Sequence, residues 1–236
     1  FLHVLILVAL GNQLRYDATG MKYPPLMIGV GRNYKAHADE MYSDTGVIFF
    51  TKNPASVIFS GEEILIPKCC GEESQVDYEG ELAVRIGETC LNVSEADAME
   101  FIDGYAVAND VTERAWQKQR NGGQWVRGKG FNTFCPLSSF VSPSSIADPH
   151  SLSLTTTLNG EIVQADNTSS MIYSIAKLIS LISTDTTIPK GTILLTGTPS
   201  GVGFACDPQR FLQEGDLIEV EIEGVGQVSN TVASIK

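Results

Sequence analysis

Short apolar runs, broken every few residues by Gly, Pro or Asn, recur through the chain and predict strands over 25–31, 47–51, 63–67, 79–86, 104–110, 152–159, 192–196 and 217–222. The runs 152–158 and 161–164 flank Asn159-Gly160, a pair that readily accepts the two positive φ angles of a tight hairpin. Helical periodicity is rarer. Ser94 caps a predicted helix running to Phe101, with Glu95 and Asp97 in its first turn. Residues 171–183 set Ile172, Ile175, Ala176, Ile179 and Ile182 on one stripe, read as core packing. A further helix is expected to begin near Thr112. The pattern is that of a β-rich α+β fold.

No repeat, low-complexity tract or linker divides the 236 residues. They are read as one domain over 25–236, preceded by residues 1–24 as an N-terminal extension or first strand. The opening run Phe1 to Leu10 is apolar, but it lacks a basic flank and is too short to span a bilayer, so no membrane association is expected. The missing initiator Met points to a truncated or processed start. A net charge of −12 argues against nucleic acid or an anionic membrane as partner. The five cysteines, two of them adjacent at Cys69 and Cys70, follow neither a zinc nor a disulfide spacing. A reducing compartment is therefore expected: the cytoplasm or, in a eukaryote, an organelle matrix.

The candidate chemistry begins with Glu79 and Glu81. A strand has a side-chain period of two, so both would share a face, where like charges repel unless a cation lies between them. Asp110 closes the apolar run 105–109, and a charge ending a buried strand needs a partner. Three hard oxygen donors suit Mg²⁺, Mn²⁺ or Ca²⁺. The residues alone also fit a solvated pair with Asp110 capping the next helix. Arg32, His37, Glu40, Lys52, Arg114, Gln117 and Lys129 lie in turn-like segments beside apolar strands, where a scaffold presents polar side chains. The local positive charge of Arg32, Lys35, Lys52, Arg114 and Lys129 suits a small anionic substrate. His37 and Glu40, three residues apart, read either as a general base oriented by a carboxylate or as a surface pair.

Five ordered segments carry a resemblance. They are Ile28-Gly29-Val30-Gly31-Arg32-Asn33-Tyr34 with His37 and Glu40; Tyr78-Glu79-Gly80-Glu81-Leu82-Ala83; Asn109-Asp110-Val111-Thr112-Glu113-Arg114 with Gln117; Gly128-Lys129-Gly130-Phe131-Asn132-Thr133-Phe134-Cys135-Pro136-Leu137; and Thr196-Gly197-Thr198-Pro199-Ser200-Gly201-Val202-Gly203. Together they resemble the signature blocks of the fumarylacetoacetate hydrolase family, nearest to its small single-domain acylpyruvase and oxaloacetate decarboxylase-like members. The resemblance implies a mixed-sheet roll with few helices and a metal at one open end. It implies Mg²⁺ or Mn²⁺ on Glu79, Glu81 and Asp110, with Ca²⁺ or Zn²⁺ able to take the site in a crystal. His37 and Glu40 are then a catalytic dyad on a mobile lid, and Lys129 stabilises developing negative charge. Arg32, Tyr34, Arg114, Gln117, Gly197 and Thr198 are expected to hold the substrate.

The activity expected first is metal-dependent hydrolysis of a C–C bond in an acylpyruvate-like 2,4-dioxo acid, of acylpyruvate or fumarylpyruvate type, by a homodimer. An oxaloacetate decarboxylase or tautomerase, or a hydroxydienedioate isomerase, would use the same metal. A non-catalytic, metal-stabilised domain is the reading from another class. Two departures stand out: Gly80 lies where an apolar residue is expected, implying a bulge or close backbone contact, and Gly130 implies a flexible loop after Lys129.

Overall fold

The computed structural model describes residues 23–41, 46–71 and 73–235. The expected N-terminal extension lies almost wholly outside the described residues. Fourteen described strands follow in order: β1 (Met27–Gly31), β2 (Ile48–Thr51), β3 (Val57–Phe59), β4 (Ile64–Ile66), β5 (Val76–Asp77), β6 (Gly80–Ile86), β7 (Ile102–Asn109), β8 (Thr112–Glu113), β9 (Cys135–Leu137), β10 (Ser153–Leu158), β11 (Glu161–Asn167), β12 (Ile193–Leu195), β13 (Leu217–Ile222) and β14 (Gly226–Ser234). The described α-helices are short: α1 (Lys35–Glu40), α2 (Arg114–Lys118), α3 (Trp125–Lys129) and α4 (Ile175–Ser183).

A seven-stranded mixed sheet runs β2-β1-β12-β6-β7-β9-β3, and a five-stranded sheet runs β11-β10-β13-β14-β4. Chain geometry forces the first to curl. Its two edge strands, β2 and β3, are consecutive in sequence, and the link from Thr51 to Val57 reaches at most about 21 Å. Seven flat strands would span about 29 Å. The sheet therefore closes into a roll, and its concave face is lined by small or slender residues that include Ala83, Ala106, Ala108, Cys135 and Leu195. The opposite face carries Leu82, Val84, Val107 and Leu194, packed with Leu154, Val220 and Ile222 of the second sheet and Ile175, Leu178 and Ile179 of α4. Each such apolar side chain contributes roughly 1.5–3 kcal/mol on burial.

The sequence pattern distinguishes the two sheets. Strand β6 is buried on both faces and reads as a near-continuous apolar run, whereas β13 alternates Ile218, Val220 and Ile222 inward with Glu219 and Glu221 outward. Asn159 and Gly160 take φ of 53° and 81° and join β10 to β11. Gly80 takes the close-contact alternative: a Cβ there would collide with Thr156 Oγ1 and come within 2.9 Å of Val220 Cγ1, where the second sheet presses against β6. The register shift in β6 lies at Arg85/Ile86 instead.

Three local expectations are corrected. Residues 95–97 form a turn, and only Ala98–Phe101 winds into a 3₁₀ helix, because Ser94 and Asp97 bond to each other and Ala98 is the only fully buried side chain of that turn. The predicted helix over 171–183 begins at Ile175, capped by the Ser174 hydroxyl, and Ile172 is left exposed rather than in the stripe. Lys129 ends α3 instead of lying in a flexible glycine loop; Gly128 lets α3 approach α2, since a Cβ there would lie 2.8 Å from Gln117 N.

All five cysteines are free thiols. Among the described residues no helix is long and apolar enough to cross a membrane.

Candidate active site

One rim of the roll collects the carboxylates. Glu79 precedes β6, Glu81 is its second residue and Asp110 follows β7. These strands are antiparallel with Gly80 opposite Asn109, which brings all three residues to the same end. Glu81, Ala83, Ala106, Ala108 and Asp110 share the parity of the concave face. The backbone fixes the junction: Asp110 N donates to Glu79 O at 2.8 Å, and Glu79 N to Asn109 Oδ1 at 3.0 Å. One carboxylate oxygen from each of Glu79, Glu81 and Asp110 lies within 4.8 Å of the others.

Three buried carboxylates this close need positive charge, and the roll supplies it from the chain. Lys52, entering from the end of β2, places Nζ 2.6 Å from Asp110 Oδ1 and 2.5 Å from the Lys129 carbonyl. Lys129 Nζ bridges Glu79 Oε2 and Asp110 Oδ2, both at 2.7 Å, and reaches Thr112 Oγ1 at 2.8 Å. Arg114 Nη1 pairs with Glu79 Oε1 at 2.7 Å. Burial works against the charge of Glu79, but Lys129 and Arg114 hold its carboxyl down at about 2. Burial likewise opposes the Lys129 ammonium, and Asp110 and Glu79 outweigh it, raising that group above the ordinary lysine range.

Among the described residues Glu81 has no such partner. Gly197 N donates to its Oε2 at 2.8 Å, yet burial, Asp110 and Glu79 together push its carboxyl well above the usual carboxylate range. A carboxylate oxygen has two acceptor sites, so the hydrogen bonds described leave unused lone pairs on all three groups. This all-oxygen, net-anionic set fits a hard divalent cation.

Across the cavity, His37 sits on α1 with Nδ1 2.7 Å from Glu40 Oε1. Glu40 Oε2 accepts Gly201 N at 3.0 Å, so the loop after β12 braces the dyad. With Nδ1–H given to Glu40, Nε2 carries the free lone pair of the neutral ring. His37, Arg32, Glu79, Glu81, Arg114, Gln117, Lys129 and Thr198 all line one cavity of about 430 Å³ including its mouth. Gly197 faces Glu81 through its amide. Tyr34 is fully buried, its hydroxyl without a hydrogen-bond partner among the described residues, and it does not line the cavity.

Sequence reasoning gave no role to several residues that build this arrangement. Asp77 is fully buried and accepts from Arg114 Nε at 2.8 Å, Tyr78 N at 2.9 Å, Gly203 N at 2.8 Å and Phe204 N at 3.0 Å. Gln164 donates to Thr198 Oγ1 at 2.8 Å and accepts from Gly80 N at 3.0 Å. Lys118 lines the cavity beside Arg114. For Asp77 a signal was present: it lies between Val76 and Tyr78 at the end of a short strand, and a charge there requires a buried partner.

Known proteins share this framework while carrying different activities in their names. Human mitochondrial oxaloacetate tautomerase FAHD2A is 40% identical over 212 residues, covering 89% of this chain and 67% of its own. The chain thus spans about two thirds of the length of the curated relatives it matches. The crystal structure of 2-hydroxyhepta-2,4-diene-1,7-dioate isomerase from Mycobacterium marinum superposes with a TM-score of 0.77 at 34% identity, covering 90% of this chain and 75% of that one. Fumarylpyruvate hydrolase from Pseudomonas aeruginosa, solved with Mn²⁺ and pyruvate, gives 0.80 at 28% identity, covering 90% and 91%. The model of the fumarylacetoacetate (FAA) hydrolase C-terminal region matches residues 27–233, so this chain belongs to the fumarylacetoacetate hydrolase family, a family of enzymes.

Proposed function

We propose that the chain is a divalent-metal-dependent enzyme that interconverts the keto and enol forms of oxaloacetate or a closely related 2-oxo acid. The observation that carries this reading is the pairing, across one cavity, of a three-carboxylate cluster with a carboxylate-oriented histidine. The tautomerase named among its relatives supports oxaloacetate ahead of the acylpyruvate expected from sequence. Mg²⁺ or Mn²⁺ is the proposed ion, held by Glu79, Glu81 and Asp110; when bound it supplies Lewis-acid stabilisation of negative charge on a 2-oxo group. The reading extends to a homodimer, and to an organelle matrix if the source is eukaryotic.

The chain's own groups account for the proton movements. In the keto-to-enol direction, His37 Nε2 takes a proton from the carbon between the two carbonyl groups, and Glu40 stabilises the imidazolium that forms. The electron pair of that C–H bond becomes the new C=C bond, and the carbonyl pair moves onto oxygen. Lys129, its three N–H groups held by Glu79, Asp110 and Thr112, stabilises the developing oxyanion through its positive charge. Transfer of the proton from the His37 imidazolium to that oxygen completes the enol and regenerates the neutral ring, and the reverse sequence restores the ketone.

The same dyad can draw a proton from water attacking a distal carbonyl. His37 and Glu40 therefore favour acylpyruvate hydrolysis as the second reading, with decarboxylation and dienedioate isomerisation behind it. Stopped-flow assays of oxaloacetate enolisation, run beside acetylpyruvate and fumarylpyruvate hydrolysis with Mg²⁺ and Mn²⁺, test the choice. Enolisation accelerated well above the metal-only rate, with slower hydrolysis, is expected. Hydrolysis alone would replace the first reading with the second. A chelation-sensitive melting temperature with no turnover and no oxalate binding would leave a purely structural metal.

A further inference from the structure

The cavity carries more positive charge than its carboxylate cluster explains. Arg114 is 1% exposed, and two of its three nitrogens are committed: Nε to Asp77, and Nη1 to Glu79 and Gln117. Among the described residues Nη2 is buried without a hydrogen-bond partner, an arrangement that ordinarily costs about 1–3 kcal/mol and marks a donor awaiting an acceptor. One helical turn on, Lys118 lines the same cavity. Its Nζ lies 4.3 Å from the centroid of the Phe204 ring, and it makes no ion pair among the described residues.

A single buried carboxylate sets both cations. Asp77 Oδ2 holds Arg114 Nε, while Oδ1 and Oδ2 accept the Gly203 and Phe204 amides and so fix the ring under Lys118. A Cβ on Gly203 would collide with the Arg210 carbonyl and come within 2.8 Å of Asp77 Oδ1, so this turn has little freedom. Lys118 is exposed, yet its ammonium packs over the Phe204 ring and the residue lines the cavity that Arg114 also lines. Partial desolvation and the positive charge of Arg114 and Arg32 lower its pKa to about 8, and an anion placed there would offset that repulsion.

We propose that Arg114 Nη2 and Lys118 Nζ form a subsite for a second carboxylate, making Lys118 a specificity-determining residue that selects dicarboxylic 2-oxo acids over those with a neutral tail. This rests on the 2-oxo-acid reading above and deepens it: the carboxylate cluster and His37 serve the reacting end, and the Arg114–Lys118 pair reads the far end.

Equilibrium binding separates the two claims. Malate and 2-hydroxybutyrate share a 2-hydroxy-acid head, differ at the tail, and undergo no enolisation. Their dissociation constants, with that of oxalate, are measured by calorimetry on the full chain loaded with Mn²⁺. The wild-type protein should prefer malate, Lys118→Met should lose about tenfold of that preference with oxalate affinity unchanged, and Lys118→Arg should restore it. No preference for malate in the wild type, or equal weakening of both acids by Lys118→Met, overturns the subsite. A retained malate preference without oxaloacetate turnover leaves the subsite standing and defeats the proposed reaction instead.

Discussion

The floor and the cap of the cavity are built on opposite principles. The floor is buried: Glu79, Glu81, Asp110 and Lys52 lie at strand ends, Lys129 at the end of α3, and the two lysines hold Glu79 and Asp110 at 2.6–2.7 Å. The cap is the six-residue helix α1, which has no side-chain N-cap and no acidic residue in its first turn. Its anchors are Ala38, the Tyr34–Met171 bridge and the Glu40–Gly201 hydrogen bond. An isolated helix of this length is unstable, so tertiary contacts alone set its position. Charge that must be concentrated is fixed by the sheet, and the group that moves protons sits on an element the core hardly needs.

The contrast predicts how substitutions divide. Glu81→Ala should have the largest effect. It removes a metal donor, so Mn²⁺ affinity should fall by more than about 100-fold, beyond the loss typical of outer-shell changes, and turnover should drop to background. Calorimetric Mn²⁺ titration checks this; unchanged affinity would take Glu81 out of the site. His37→Ala should lower enolisation by about 10²–10⁴-fold, the range of a lost general base, with Mn²⁺ affinity and melting temperature kept. Metal binding lost along with activity would place the cap within the floor.

Lys52→Met reaches the floor from behind. Breaking this fully buried pair should destabilise the fold by about 3–5 kcal/mol in urea titration, because Asp110 loses one of its two cations. A stability loss under about 1 kcal/mol, the range of exposed pairs, would show that the pair is solvated.

The smallest effects distinguish the two glutamates by pH. Glu79 is lowered from 4.5 to about 2, so its stabilising contribution is complete above 4.5 and is lost as pH falls through 2. Glu81 is raised, so its linkage has the opposite sign: the contribution is present in acid and is lost as pH rises through the raised value. In chelator, Glu81→Gln should therefore become more stable than the wild type toward neutral pH, and Glu79→Gln less stable. Parallel curves for both variants would remove the asymmetry.

The two regions also differed in how far the sequence revealed them. The carboxylate triad was legible because period two and an apolar run ending in Asp110 are local signals, as were the Asn159-Gly160 hairpin and the alternation of β13. Asp77 and Lys118 were not assigned roles, and Lys52 was read only as local positive charge, because their partners lie 37, 86 and 58 positions away, at Arg114, Phe204 and Asp110, and meet only when the roll closes. Lys129 was read as a loop residue because its flanking glycines serve helix packing, a purpose that sequence cannot separate from turn formation. Tyr34 shares a motif with the dyad, yet it is fully buried and does not line the cavity.

The central claim is that a divalent ion on the floor, rather than the cap, creates the binding site for a 2-oxo acid. Oxalate titration of chelator-treated protein, with and without Mn²⁺, tests it most directly. Oxalate should bind only after Mn²⁺ is added, with one ion per chain, equally in wild type and His37→Ala and not at all in Glu81→Ala. Equal oxalate affinity before and after Mn²⁺ addition would contradict the account.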